Sequence, residues 1–373
     1  PRYFKAHYNL GAILQNTGSL AAALECYTNV LNIKPDAVDA YYNIGISLRN
    51  MRFAAYKPES AAIILKLLEQ NSFIRPSEIA HSIASLLKKD PLIEKYLLQH
   101  KAIKSGKDFQ NIIMDLANSP LLMRLMNLCP IPDLDIEFLL TSLRSHATLY
   151  ISSIKYTRKM SEFLSALSSQ CFINEYIYET TAIEIEAISD IEQAVKEKLS
   201  EDIQPSPVNI LILASYKSLD KYSWSNLLTT TTELAIVFKR QLNEVEEETK
   251  ISVSIPTLEK ITDPVSSNVQ AQYEANPYPR WISLRLEKTP QLISNIITKA
   301  RLKLYDERIV KCGSPEILIA GCGTGQQSIE TASKFKDSSI LAVDLSLSSL
   351  AYAKRKTKEL GIDNIEYIQA DIL

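Results

Sequence analysis

Residues 317–332 read ILIAGCGTGQQSIETA. Four apolar residues, Ile317 to Ala320, run into the alternating glycines Gly321, Gly323 and Gly325, and a helix-like stretch opens at Gln326. A short apolar run closed by turn residues predicts a buried strand. Glycine lets the backbone take positive φ and approach a ligand closely. The amides that open the next helix point at the same place. The stretch therefore predicts a strand, a ligand-facing turn and a helix, in that order.

The pattern then repeats. SSILAVD (338–344) predicts a second strand ending in Asp344. Ser346 is a suitable N-cap for the helix that follows. Leu350, Ala353, Thr357 and Leu360 form its inner face, and Gly361 stops it. Lys354, Arg355, Lys356 and Lys358 are read as its solvated face. IEYIQAD (365–371) predicts a third strand ending in Asp371. Alternating strands and helices imply parallel pairing with right-handed crossovers. Ligands sit at the carboxyl ends of such strands. Two nucleotide-type ligands compete for that crevice. The dinucleotide fingerprint G-x-G-x-x-G needs a third glycine where this chain has Gln326. Asp344 lies 19 residues after Gly325, and a carboxylate there can accept hydrogen bonds from ribose hydroxyls.

With ILIAGCGTGQ, LAVDLS and IQADIL in that order, the segment resembles class I S-adenosylmethionine-dependent methyltransferases. The resemblance implies S-adenosyl-L-methionine as cofactor. It implies that Gly321, Gly323 and Gly325 line the methionine and ribose end, and that Asp344 holds the ribose. Asp371 would meet the adenine amino group and Ile372 the adenine ring. Cys322 needs only to be small. In that family the acceptor site is shaped by residues after the fourth strand, whereas this chain stops at Leu373 after the third, so no catalytic residue is named. The chain is read as truncated at both ends and inactive or unstable in its C-terminal part when alone.

Upstream, QYEANPYPRW (272–281) carries Tyr273, Tyr278, Arg280 and Trp281. They are read either as a lid over the cofactor or as an anchor for the linker, with prolines fixing an extended path. Taken with the repeat described next, this stretch resembles a group of bacterial repeat-containing methyltransferases. Two other readings stay open: an interaction scaffold with a non-catalytic cofactor-binding domain, and an NAD-dependent oxidoreductase.

AHYNLGAILQNTG (6–18) and AYYNIGISLRNMR (40–52) match at Ala6/Ala40, Asn9/Asn43, Leu10/Ile44, Gly11/Gly45 and Leu14/Leu48. Each pair is 34 residues apart, the period of a tetratricopeptide repeat. Ala23, Tyr27 and Pro35 fall where that pattern expects a small residue, an aromatic and a proline. The stretch resembles such a repeat, which implies a surface for a protein or peptide partner; a helical cap for the next domain is the alternative. Units of this kind bury their faces by stacking, so more of them are expected upstream.

Residues 56–201 show helical periodicity punctuated by prolines. Pro76 and Ser77 open one helix, with Ile79, Ile83, Leu86 and Leu87 on one face. PSPVNILILASY (205–216) reads as a linker and then a buried strand near 208–214, with a helix following over 225–248. The acids of CFINEYIYETTAIEIEAI (171–188) and EVEEE (244–248) are read as solvated faces rather than catalytic groups.

Composition limits the remaining options. Forty-one basic and 43 acidic residues give a net charge of -2, which argues against a general nucleic-acid binder. Five scattered cysteines form no CxxC or Cys/His cluster, so neither a disulfide framework nor a metal site is expected and a reducing, cytoplasmic setting is. No apolar run approaches the length of a membrane span. The expected fold is α plus α/β. Tetratricopeptide hairpins occupy 1–55 and a mainly helical region 56–264. The first βαβαβ part of a Rossmann-like methyltransferase fold occupies 265–373.

Overall fold

The 34-residue spacing becomes a pair of antiparallel helices and the start of another. In the computed structural model, which describes residues 3–70, 73–99, 103, 105–153, 155–275, 277–287 and 289–372, the helices run Phe4–Asn16, Leu20–Ile33 and Val38–Arg49. Pro35 lies in the turn that ends the second. Gly11 is what lets the first two approach. A Cβ there would sit 2.8 Å from the Tyr27 ring, closer than any real side-chain contact. The Tyr27 hydroxyl crosses back to donate to Gln15 Oε1 at 2.8 Å.

By packing, the chain divides into residues 1–242 with 281–283, and residues 243–280 with 284–373. The first unit is helical. Proline opens several of its helices, at Pro58, Pro76, Pro120 and Pro207, because the first helical residue has no intrahelical use for its N–H. Ile79, Ile83, Leu86 and Leu87 are buried, as their spacing predicts.

The expected strand at 208–214 is instead the helix Pro207–Leu213. Its residues Val208 and Ile210 to Leu213 are all buried. A short helix enclosed on every side carries no polar stripe, so it reads like a buried strand. Ser168 Oγ also donates to Leu211 O at 2.6 Å, an anchor from the neighbouring helix Arg158–Ile173. The helix expected over 225–248 is also different. A 3-10 turn spans Ser225–Leu227, and regular helix begins only at Ala235, after the β-branched run Thr229–Thr232.

The acids of 171–188 are not uniformly solvated. Glu184 is 1% exposed. It completes a capping box at the start of the helix Ala182–Ser200, accepting from Thr181 N at 2.9 Å. Its other oxygen accepts from the Tyr216 hydroxyl at 2.6 Å and lies 3.8 Å from Arg144 Nη2. Arg144, equally buried, donates to Glu179 O at 2.6 Å and stacks its guanidinium over the Tyr216 ring. Glu184 is thus a buried structural acid.

In the second unit three parallel strands, β1 (Glu316–Ala320), β2 (Ser339–Asp344) and β3 (Ile365–Gln369), pair in the order β1-β2-β3. Register sets Ala320 beside Val343 and Asp344 beside Gln369, so the strands finish together at one edge of the sheet. A first crossover helix, Gln326–Lys334, joins β1 to β2, and a second, Leu347–Glu359, joins β2 to β3. Among the described residues, no helix is long and apolar enough to cross a membrane.

The second crossover helix corrects two charge assignments. Arg355 and Lys356 are buried, not solvated. So is Glu248, from the acidic run, which lies in the helix Glu244–Ser252. Arg355 Nε donates to Glu248 Oε1 at 2.8 Å and reaches Glu244 at 3.4 Å and Glu359 at 3.2 Å. Burial pushes the Glu248 carboxyl above its ordinary value, although Arg355 and Arg280 pull the other way. Burial likewise lowers the Lys356 ammonium.

Candidate functional site

The glycine turn takes the shape its sequence predicts. Gly321, Gly323 and Gly325 have φ of 72°, 52° and 82°, a region L side chains rarely enter. The amides of Gly321 and Cys322 both donate to Val343 O at 2.9 Å, which pins the turn to the end of β2. Asp344 closes it from the other side. Its Oδ2 accepts from Gly323 N at 2.7 Å and its Oδ1 from Ser346 N at 3.0 Å. An ionised carboxylate has about four acceptor positions, so each oxygen keeps capacity for a second donor.

These groups border a cleft of about 230 Å³ at the carboxyl ends of the strands. Its lining includes Gly321, Gly323, Asp344, Leu345, Ala370 and Ile372 from the strand ends, and Val269, Tyr273 and Tyr278 from the segment before β1. Of the six residues singled out in the sequence, Gly321, Gly323, Asp344 and Ile372 therefore meet at one cleft. Gly325 and Asp371 do not join its lining. Gly325 serves packing instead, since a Cβ there would stand 2.5 Å from Ala353 Cβ. Asp371, half-buried, lies between the lining residues Ala370 and Ile372. Cys322 is buried, and burial, with the nearby Asp344 charge, pushes its thiol up to about 12. It stays protonated at neutral pH and is a poor nucleophile.

The residues of QYEANPYPRW divide between the cleft and the packing of the domain. Tyr273 and Tyr278 are cleft wall. Arg280 is anchor: it lies 3.8 Å from Glu248 and over the Tyr352 ring. Trp281 groups with the first unit. Val269, Leu345, Ser349 and Ala370 escaped the sequence reading. Val269 carried one signal, its i,i+4 spacing to Tyr273 within the helix Pro264–Ala275, here called the wall helix.

A glycine turn after β1 and an acid at the end of β2 border one cleft at the carboxyl ends of a parallel sheet, which is where open sheets of this kind bind ligands. The comparisons narrow the class of protein. Residues 317–373 match a methyltransferase domain family, and residues 16–50 match a TPR repeat. The chain is also similar to (S)-coclaurine N-methyltransferase of Thalictrum flavum subsp. glaucum, 33% identical over 73 residues. That match covers 20% of this chain and 20% of the relative, so the chain spans about a fifth of the curated relative it matches. The chain thus carries a methyltransferase domain at its C-terminal strands and a tetratricopeptide repeat near its start.

Proposed function

We propose that the cleft binds S-adenosyl-L-methionine and that the protein is a methyltransferase dependent on it, with the repeat hairpins taking a protein or peptide partner. The observation that carries this reading is Asp344: two oxygens, each bound to one backbone N–H, at the edge of a cleft between a glycine turn and an apolar wall. A ribose offers two adjacent hydroxyls, and this carboxylate has the acceptor capacity for both. Ile372, Leu345, Ala370 and Val269 supply apolar surface for a flat base. Gly321 and Gly323 let the backbone come close to the sugar and the chain beyond it.

When bound, the cofactor supplies a methyl group activated by a sulfonium sulfur. The residues of this chain bind and orient it, and Tyr273 and Tyr278 shield it from water. Holding donor and acceptor in line is the main contribution an enzyme makes to such a transfer. Five cysteines without a disulfide among them fit a reducing compartment, and the cytoplasm is the proposed one.

The test is calorimetric titration of the chain with S-adenosylmethionine and, separately, with NAD, repeated on Asp344→Ala. Binding of S-adenosylmethionine that weakens in the variant is the expected result. Preference for NAD would replace the methyltransferase reading with an oxidoreductase one.

A further inference from the structure

We propose that Glu274 is a positioning residue for this cleft: its carboxylate latches the wall helix onto the N-terminus of the second crossover helix and so sets how long the cleft holds an adenosyl ligand. The proposal rests on the reading of the cleft as an S-adenosylmethionine site. The first N–H groups of any helix lack intrahelical partners. Here each of those opening Leu347–Glu359 has a side-chain acceptor. Ser346 N donates to Asp344 Oδ1 at 3.0 Å, and Ser349 N donates to Ser346 Oγ at 3.0 Å. The two between them go to a residue far away in sequence. Leu347 N donates to Glu274 Oε1 at 2.6 Å, and Ser348 N donates to Oε2 at 3.0 Å. The Ser348 hydroxyl adds its single proton, shared between Glu274 Oε2 at 2.6 Å and Glu274 O at 3.0 Å. A negative charge is favoured there by the helix dipole as well.

The position of the latch is what gives it a role in binding. Val269 and Tyr273 face the cleft from the wall helix, and Glu274 follows Tyr273 directly. The same four-amide turn therefore holds Asp344, the proposed ribose acceptor, and Glu274, which carries the wall. A further tie, Thr324 Oγ1 to Pro279 O at 2.9 Å, secures the chain five residues on, past Tyr278. The helical part of the wall packs on the second crossover helix, and Glu274 supplies its hydrogen bonds to that helix's opening amides. Releasing that carboxylate frees Val269 and Tyr273 to swing off the ligand without altering the sheet or the glycine turn.

The full chain, as wild type, Glu274→Ala and Glu274→Gln, is compared by stopped-flow binding of S-adenosylmethionine and by hydrogen exchange without ligand. In Glu274→Ala the dissociation rate is expected to rise about tenfold while the association rate stays within about twofold. The Leu347 and Ser348 amides should exchange faster in that variant. Glu274→Gln keeps one acceptor oxygen and should fall between the two. Should Glu274→Ala fold poorly, the glutamine variant alone decides, since it preserves shape and removes charge and one acceptor. Unchanged dissociation in a variant with faster exchange would overturn the latch and leave the site intact. Weakened binding that only tracks a smaller folded fraction, with dissociation unchanged, would overturn it too. Failure of the wild type to bind S-adenosylmethionine would remove both the site and the latch.

Discussion

Glu184 and Asp344 make a controlled pair. Each is an acid beside a helix start, and each accepts a backbone N–H. In the helical unit, Glu184 is enclosed, with Thr181, Tyr216 and Arg144 around it. In the sheet unit, Asp344 accepts from two backbone amides among the described residues and borders a cleft. Protein donors surround the first; the second has acceptor capacity facing open space. The difference between a structural and a ligand-binding carboxylate lies in what surrounds the remaining lone pairs.

The largest effect expected from this contrast is on Glu184. Glu184→Ala leaves Arg144 charged and buried, which costs about 3–5 kcal/mol. Urea unfolding followed by circular dichroism measures it, and a loss under about 1 kcal/mol would put Glu184 with ordinary surface acids. Asp344→Asn should divide its effect differently. It removes a charge-assisted acceptor, worth about 1.5–3 kcal/mol in ligand binding, and it turns an NH2 group towards one of two backbone amides, so the unfolding midpoint also falls, but by less than in Glu184→Ala. Equal affinity for S-adenosylmethionine in that variant would erase the distinction between the two acids.

A smaller effect concerns the buried thiol between two of the turn glycines. Cys322 has a folded-state pKa of about 12 against an ordinary 9.0. Between those values the unfolded chain loses its thiol proton first, so stability is full below pH 9 and declines as pH rises towards 12. From pH 8 to 10 the decline attributable to this group is about 1 kcal/mol. It should vanish in Cys322→Ala when unfolding is measured at both pH values. Alkylation at pH 8 should also reach Cys312, which is partly exposed, before Cys322.

The sequence carried the parts of the architecture whose signal is local. The offset of 34 between Gly11 and Gly45 marks the repeat, and alternating strands and helices mark the sheet. Signals that depend on distant partners were silent. Arg355 and Lys356 look like surface residues until Glu248, more than a hundred positions earlier, is seen against Arg355. Residues 208–214 are apolar apart from Asn209, and so short an apolar run has no period by which helix and strand can be told apart. The same limit applies at the site. Gly321, Gly323 and Asp344 were legible because turn geometry and strand ends demand them, whereas Glu274 is one acid among many until its two amide donors are known.

The ties at Glu274 and Pro279 also fix a length. The wall helix is held near its end by one and the chain is held again five residues later by the other. A helix turns by about 100° per residue. One residue inserted between Val269 and Glu274 would therefore rotate the first part of the wall by more than a quarter turn and carry Val269 off the cleft. One inserted between Glu274 and Pro279 would leave slack where Tyr278 stands. Along this stretch the spacing between residues is as much a determinant of the site as their identity, so insertions and deletions should be tolerated less well than most substitutions.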